Sequence, residues 1–121
     1  MVHMNLEVDI IPVADIERSK QFYERLGWRL DSDVAPTEHL RIVQFTPPGS
    51  GCSVTFGKGI TAAAPGSAEG GLIVSDIEAT RDELVGRGID ASEVWHGAPF
   101  PPEARLSGPD PDRTSYESDP N

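Results

Sequence analysis

Few side chains in this 121-residue chain are of the kinds that do chemistry, and their spacing decides what they can do. His39 stands beside Glu38 at the start of a strand-like run and His96 at the end of another, so both read as rim residues. No His-x-x-x-His or similar close pair exists to seed a metal site. Cys52 is the single cysteine; without a basic neighbour to favour its thiolate it reads as a small core residue. There is no glycine-rich phosphate loop, serine nucleophile elbow or paired zinc-type cysteines. Glu69, in Ala68-Glu69-Gly70-Gly71, reads first as a solvated loop carboxylate. The remaining candidates suit binding rather than catalysis. Trp28, Phe45, Phe56 and Trp95 offer area and a π-face to a flat or cationic ligand, the ordinary alternative for each being core packing. Arg41 can orient an anionic group, although an exposed strand arginine is commoner. His96 and Phe100 follow Trp95 into an irregular stretch of the kind that displays binding residues.

The elements that must position these residues follow from pattern. Leu6–Val13 predicts a strand on which Val8, Ile10 and Pro12 share one face and Ile11 and Val13 the other. Asp15 can cap a helix carrying Ile16, Ser19, Phe22, Tyr23 and Leu26 on one side, and Gly27 suits the left-handed residue just past its end. Trp28–Ser32 reads as a strand. Leu40–Thr46 alternates, with Leu40, Ile42 and Gln44 on one face and Arg41, Val43 and Phe45 on the other. Pro47-Pro48-Gly49-Ser50-Gly51 turns the chain into a further strand over Cys52–Phe56. The block 5–56 is thus βαβββ. Residues 57–71 are rich in glycine, alanine and proline and read as a linker. Beyond them a strand over Leu72–Val74, a helix over Asp76–Arg87 and a strand over Ser92–Trp95 are expected. Pro99, Pro101 and Pro102 then discourage another strand nearby.

The two blocks repeat one another. Val13-Ala14-Asp15-Ile16-Glu17 recurs as Val74-Ser75-Asp76-Ile77-Glu78, and the same offset carries Gly27 onto Gly88. A fixed offset of this kind reports a duplicated supersecondary unit.

Charge and composition bound the partners. Ten Lys and Arg against twenty Asp and Glu give a formal net charge of −10. No basic cluster is present for nucleic acid or an anionic membrane surface. No apolar run approaches the roughly 20 residues of a membrane span, and the first residues show no secretory pattern, so a cytoplasmic protein is expected. The acidic balance suits a cationic or neutral small molecule.

The stretch from Val13 to Trp28, with Asp15-Ile16-Glu17-Arg18-Ser19, Phe22-Tyr23 and Leu26-Gly27, resembles the opening signature of the vicinal oxygen chelate superfamily. That superfamily contains glyoxalase I, the bleomycin-resistance proteins and the extradiol dioxygenases. The resemblance continues more weakly through Val74-Ser75-Asp76-Ile77, Arg87-Gly88 and Asp119-Pro120-Asn121. It implies an α+β fold of paired βαβββ modules whose curved sheets enclose a cavity. Module one would span about 5–56, a linker 57–71 and module two about 72–121, a single domain whose second module is truncated at its last strand. The superfamily's enzymes hold a divalent metal with one ligand from each of four strands. At the first such position this chain carries Val8, which coordinates nothing; the equivalent position in the repeat is Glu69, a weak metal candidate. On Cys52–Phe56 only Cys52, Ser53 and Thr55 are available. No cofactor is therefore expected.

The expectation is a metal-free protein of the bleomycin-resistance kind that binds an organic, cationic or aromatic small molecule. The resemblance implies a homodimer. Candidate ligand contacts are Val8, Ile10, Trp28, Arg41, Phe45, Phe56, Trp95, His96 and Phe100. Two other readings stand beside this one. One is a divergent lyase or dioxygenase with its metal on an atypical set such as Glu69, His39 or His96; the other is a dimerisation module without a ligand.

Overall fold

The computed structural model describes residues 2–97, 103 and 105–111. They fall in two compact units, Met1–Gly70 and Gly71–Asn121. The first contains β1 (Val8–Ile10), α1 (Ile16–Arg25), β2 (Arg29–Thr37), β3 (Leu40–Thr46) and β4 (Ser53–Lys58). The second contains α2 (Ile77–Gly86), β5 (Trp95–Gly97) and β6 (Arg105–Ser107). The class is α+β, as expected.

Both helices start and stop by the same devices, which gives the internal repeat a physical basis. The Asp15 carboxylate accepts from the Arg18 amide at 3.1 Å, and Asp76 accepts from the Ala79 amide at 3.0 Å. At the other end Gly27 and Gly88 both have φ of 78°. The Gly27 and Trp28 amides donate to the carbonyls of Glu24 and Tyr23, and the Gly88 and Ile89 amides to those of Val85 and Leu84. This paired pattern closes a helix only where the residue after the cap is left-handed, hence glycine in both copies.

The first unit's sheet has the order β1-β4-β3-β2. The hairpin neighbours are antiparallel, and β1 runs parallel to β4 because the chain returns to the sheet through α1. Val43, Phe45 and Phe56 are fully buried, with Val13, Ile16, Tyr23, Trp28 and Val54 packed around them. Tyr23 reaches from α1 onto the sheet, its ring 5.5 Å from those of both Phe45 and Phe56. Burial pushes its phenol pKa up.

Several elements differ from expectation. β1 is shorter than Leu6–Val13, since pairing to β4 extends only over Val8–Ile10. β2 continues to Thr37, because the ladder to β3 persists through two register shifts. Gly57 and Lys58 belong to β4 rather than to the linker. Leu72–Val74 is not a strand, for it has no ladder partner among the described residues. The strand expected over Ser92–Trp95 lies at Trp95–Gly97, where β6 supplies its partner. Pro99, Pro101 and Pro102 lie outside the described residues, and the strand they were expected to discourage forms just after them, at Arg105–Ser107.

Candidate ligand-binding face

Register assigns each strand residue of the first unit to one of two faces. Val43, Phe45 and Phe56 pack against α1 and so mark the helix face. The opposite face consists of residues paired directly across the strands. One row runs Arg29, Thr46, Ser53, Val8, its Thr46–Ser53 step made by the two hydroxyls, and the next runs Ser32, Gln44, Thr55, Ile10. A third contains Val34, Ile42 and Gly57. The centre of this face is therefore hydroxyl and amide, while Val8 and Ile10 at one side and Val34 at the other are exposed hydrocarbon.

The polar centre is organised around Asp31. A register shift between Leu30 and Ser32 leaves Asp31 as the extra residue of β2 and turns its carboxylate onto this face. Its Oδ2 accepts from the Thr46 hydroxyl and, at 3.2 Å, from the Gln44 amide. Its Oδ1 accepts from Arg29 Nε at 2.6 Å. Thr46 Oγ1 lies 2.7 Å from Ser53 Oγ, and the Thr55 hydroxyl donates to Gln44 Oε1 at 3.4 Å. Thr46, Ser53 and Thr55 are each buried. The Thr46 hydroxyl, then Arg29, hold the Asp31 carboxyl below the usual carboxylate range, so it is ionised at neutral pH. Sequence reasoning missed this group. Its trace is the Gln44/Thr46 and Ser53/Thr55 alternation on two hairpin strands, opposite the phenylalanines.

A second charged cluster lies on the helix face. Arg41 grips Asp33 through Nε at 3.0 Å and Nη2 at 2.9 Å, and reaches Glu17 on α1 at 2.5 Å. Lys20, also on α1, meets Asp33 at 2.9 Å. The guanidinium and the ammonium together hold the Asp33 carboxyl well below its usual range. Arg41 is thus committed to tying α1 to the sheet, which corrects its place among the ligand contacts. Phe45 and Phe56 are corrected likewise: both are closed core, with no exposed surface to give a ligand. Trp28 packs on Tyr23, ring centroids 5.1 Å apart, and closes the end of α1.

Of the expected contacts within the first unit, Val8 and Ile10 lie on the open face. Trp95 and His96 belong to the second unit, where Arg105 stacks 4.3 Å over the indole and His96 Nδ1 lies 2.9 Å from the Gly108 carbonyl oxygen. Phe100 lies outside the described residues.

Among the described residues, the positions that the family's enzymes use for a divalent metal carry no donor set for one. The family's first ligand position is the hydrocarbon Val8, and Ser53 and Thr55 on β4 are hydroxyls already bonded to Thr46 and Gln44. Glu69 is exposed, and His39, itself exposed, pairs with Glu38 at 3.2 Å. No group of three or more His, Cys, Asp or Glu side chains comes together among the described residues. Nor is any helix among them long and apolar enough to cross a membrane.

Comparison with known proteins identifies the family. Residues 2–35 match the family model of the bleomycin resistance protein-like N-terminal domain. TnmS3, an antibiotic binding protein from Streptomyces sp. CB03234, is 30% identical, with 83% of each chain covered and a TM-score of 0.65. A glyoxalase/bleomycin resistance protein from the same organism is 31% identical over 79% of this chain and 84% of its own, with a TM-score of 0.62. A superfamily member from Sphaerobacter thermophilus DSM 20745 is 26% identical over 81% and 82%, with a TM-score of 0.60. No curated protein matches the sequence. With the βαβββ unit, the capped repeat and identity of this extent together, the chain belongs to the glyoxalase/bleomycin resistance/dioxygenase superfamily, the vicinal oxygen chelate proteins.

Proposed function

We propose that this protein sequesters an organic small molecule, without a metal and without chemistry, on the sheet face opposite α1. The observation that carries the proposal is the make-up of that face: a bonded hydroxyl and amide centre flanked by exposed Val8, Ile10 and Val34. Such a surface offers hydrocarbon for burial and fixed polar groups for orientation. Support comes from TnmS3, an antibiotic binding protein of the same superfamily.

The acidic chain favours a cationic ligand. A homodimer belongs to the same proposal. β1 is one of the two edge strands of its sheet, and the bonds of Glu7 and Ile11 to β4 leave the backbone groups of Val8 and Ile10 turned outward. A cytoplasmic location is proposed with it.

The test is titration of the purified protein with bleomycin and with aromatic cations by calorimetry, beside metal analysis of protein prepared without chelator. Saturable binding by metal-free protein supports the reading. About one tightly held metal per chain, lost on Glu69→Ala, would overturn it in favour of a metal-dependent enzyme. Light scattering giving a clean monomer at about 100 μM would remove the dimer.

A further inference from the structure

The row Arg29, Thr46, Ser53, Val8 crosses all four strands, beginning in a charge and ending in hydrocarbon. At its charged end the two members of the ion pair are unequally held. Asp31 is fixed through Oδ2 by Thr46 and Gln44, and its side chain is 17% exposed. Arg29 holds Oδ1 through Nε, with its own side chain 74% exposed. The anion is therefore built into the sheet, whereas the cation is a long, hydrated side chain laid over it.

We infer that Asp31 is the specificity-determining residue of this face, recognising a cationic nitrogen of an elongated aromatic ligand, and that Arg29 is the exchangeable internal cation which the ligand displaces. The inference rests on the binding role proposed for the face. An ion pair with one partner so exposed contributes little, because the arginine is well solvated when released. The carboxylate's orientation survives that release, since the Thr46 and Gln44 bonds do not involve Arg29. An incoming ammonium or amidinium regains the charge-assisted bond at Oδ1. Its hydrocarbon body gains further by covering Val8 and Ile10. Those residues lie on β1, three strand spacings from β2, or about 14 Å. The face thus suits a flat molecule of several rings with its charge at one end. If Arg29 were instead the recognition group for an anion, its removal would have the opposite effect.

Proflavine, a flat three-ring cation, and acridone, its neutral three-ring counterpart, are titrated by fluorescence against wild type, Asp31→Asn and Arg29→Ala. Each titration is made at about 0.05 M and about 0.5 M NaCl. Wild type is expected to prefer proflavine about tenfold, a preference lost in Asp31→Asn and reduced by salt. Arg29→Ala is expected to bind proflavine several-fold more tightly and acridone unchanged. Weaker binding of proflavine by Arg29→Ala would overturn the inference. So would equal binding of both probes by all three proteins, which leaves the small-molecule reading standing. Failure of both probes to bind any of the three overturns that reading and the inference with it. Because Arg29 is a surface residue, the sign of its effect decides even where Asp31→Asn does not fold.

Discussion

Replacing Phe45 by leucine separates the closed core from the open face more sharply than any other single change. Phe45 has no exposed surface, and its ring faces Tyr23 at 5.5 Å and Phe56 at 6.1 Å. Leucine keeps most of the buried hydrocarbon but forfeits both ring–ring contacts, each worth about 0.5–1.5 kcal/mol. The expected loss is about 2 kcal/mol, which lowers Tm by roughly 10 °C in a domain of this size. A stability of about 5–15 kcal/mol survives that loss, so the variant stays folded at low temperature. Urea unfolding followed by fluorescence in a Trp95→Phe background reports the first unit through Trp28. Ligand affinity, measured on the folded variant in the cold, is expected to match wild type, because Phe45 lies on the far side of the sheet from Val8 and Ile10. A Phe45→Leu protein as stable as wild type that had lost ligand affinity would refute the assignment of the two faces.

The other expectations test the scaffold that holds this face. A Cβ at Gly57 would stand 1.9 Å from the Arg41 carbonyl oxygen, backbone against backbone, so Gly57→Ala should cost more than about 3 kcal/mol by urea unfolding. Asp33→Asn should lower Tm by an amount that depends on pH. The folded carboxyl titrates below its unfolded value of about 3.9, so its contribution is complete above that pH and disappears as pH falls toward the folded value. Melting curves of variant and wild type should accordingly differ by a constant amount from about pH 8 to 5 and converge below about pH 4. Arg41→Met should likewise destabilise the protein and leave the affinity of the folded variant for a ligand unchanged, as measured by calorimetry. Asp15→Ala, which removes the bond to the Arg18 amide, should cost about 1 kcal/mol in urea.

Local chemistry determined the helices. An aspartate at each start and a glycine just past each end are sufficient, because capping and the left-handed stop involve only residues within one turn. The alternation in Leu40–Thr46 likewise separated Arg41, Val43 and Phe45 from Ile42 and Gln44, since side-chain direction along a strand has a period of two. Which of those faces meets α1 is a tertiary fact, and it placed Arg41 with Glu17 and Asp33 instead of with a ligand. Pairing decided the rest. Leu72–Val74 has strand-like residues but no ladder partner among the described residues, whereas Arg105–Ser107, next to prolines, is a strand because Trp95–Gly97 lies alongside. Asp31 shows the same dependence most clearly. Alternation by itself puts it on the face of Arg29 and Asp33. The register shift against β3 instead leaves Asp31 with Arg29, Thr46 and Gln44 and sends Asp33 to the helix, since the side of a sheet that a carboxylate faces depends on the strand it pairs with.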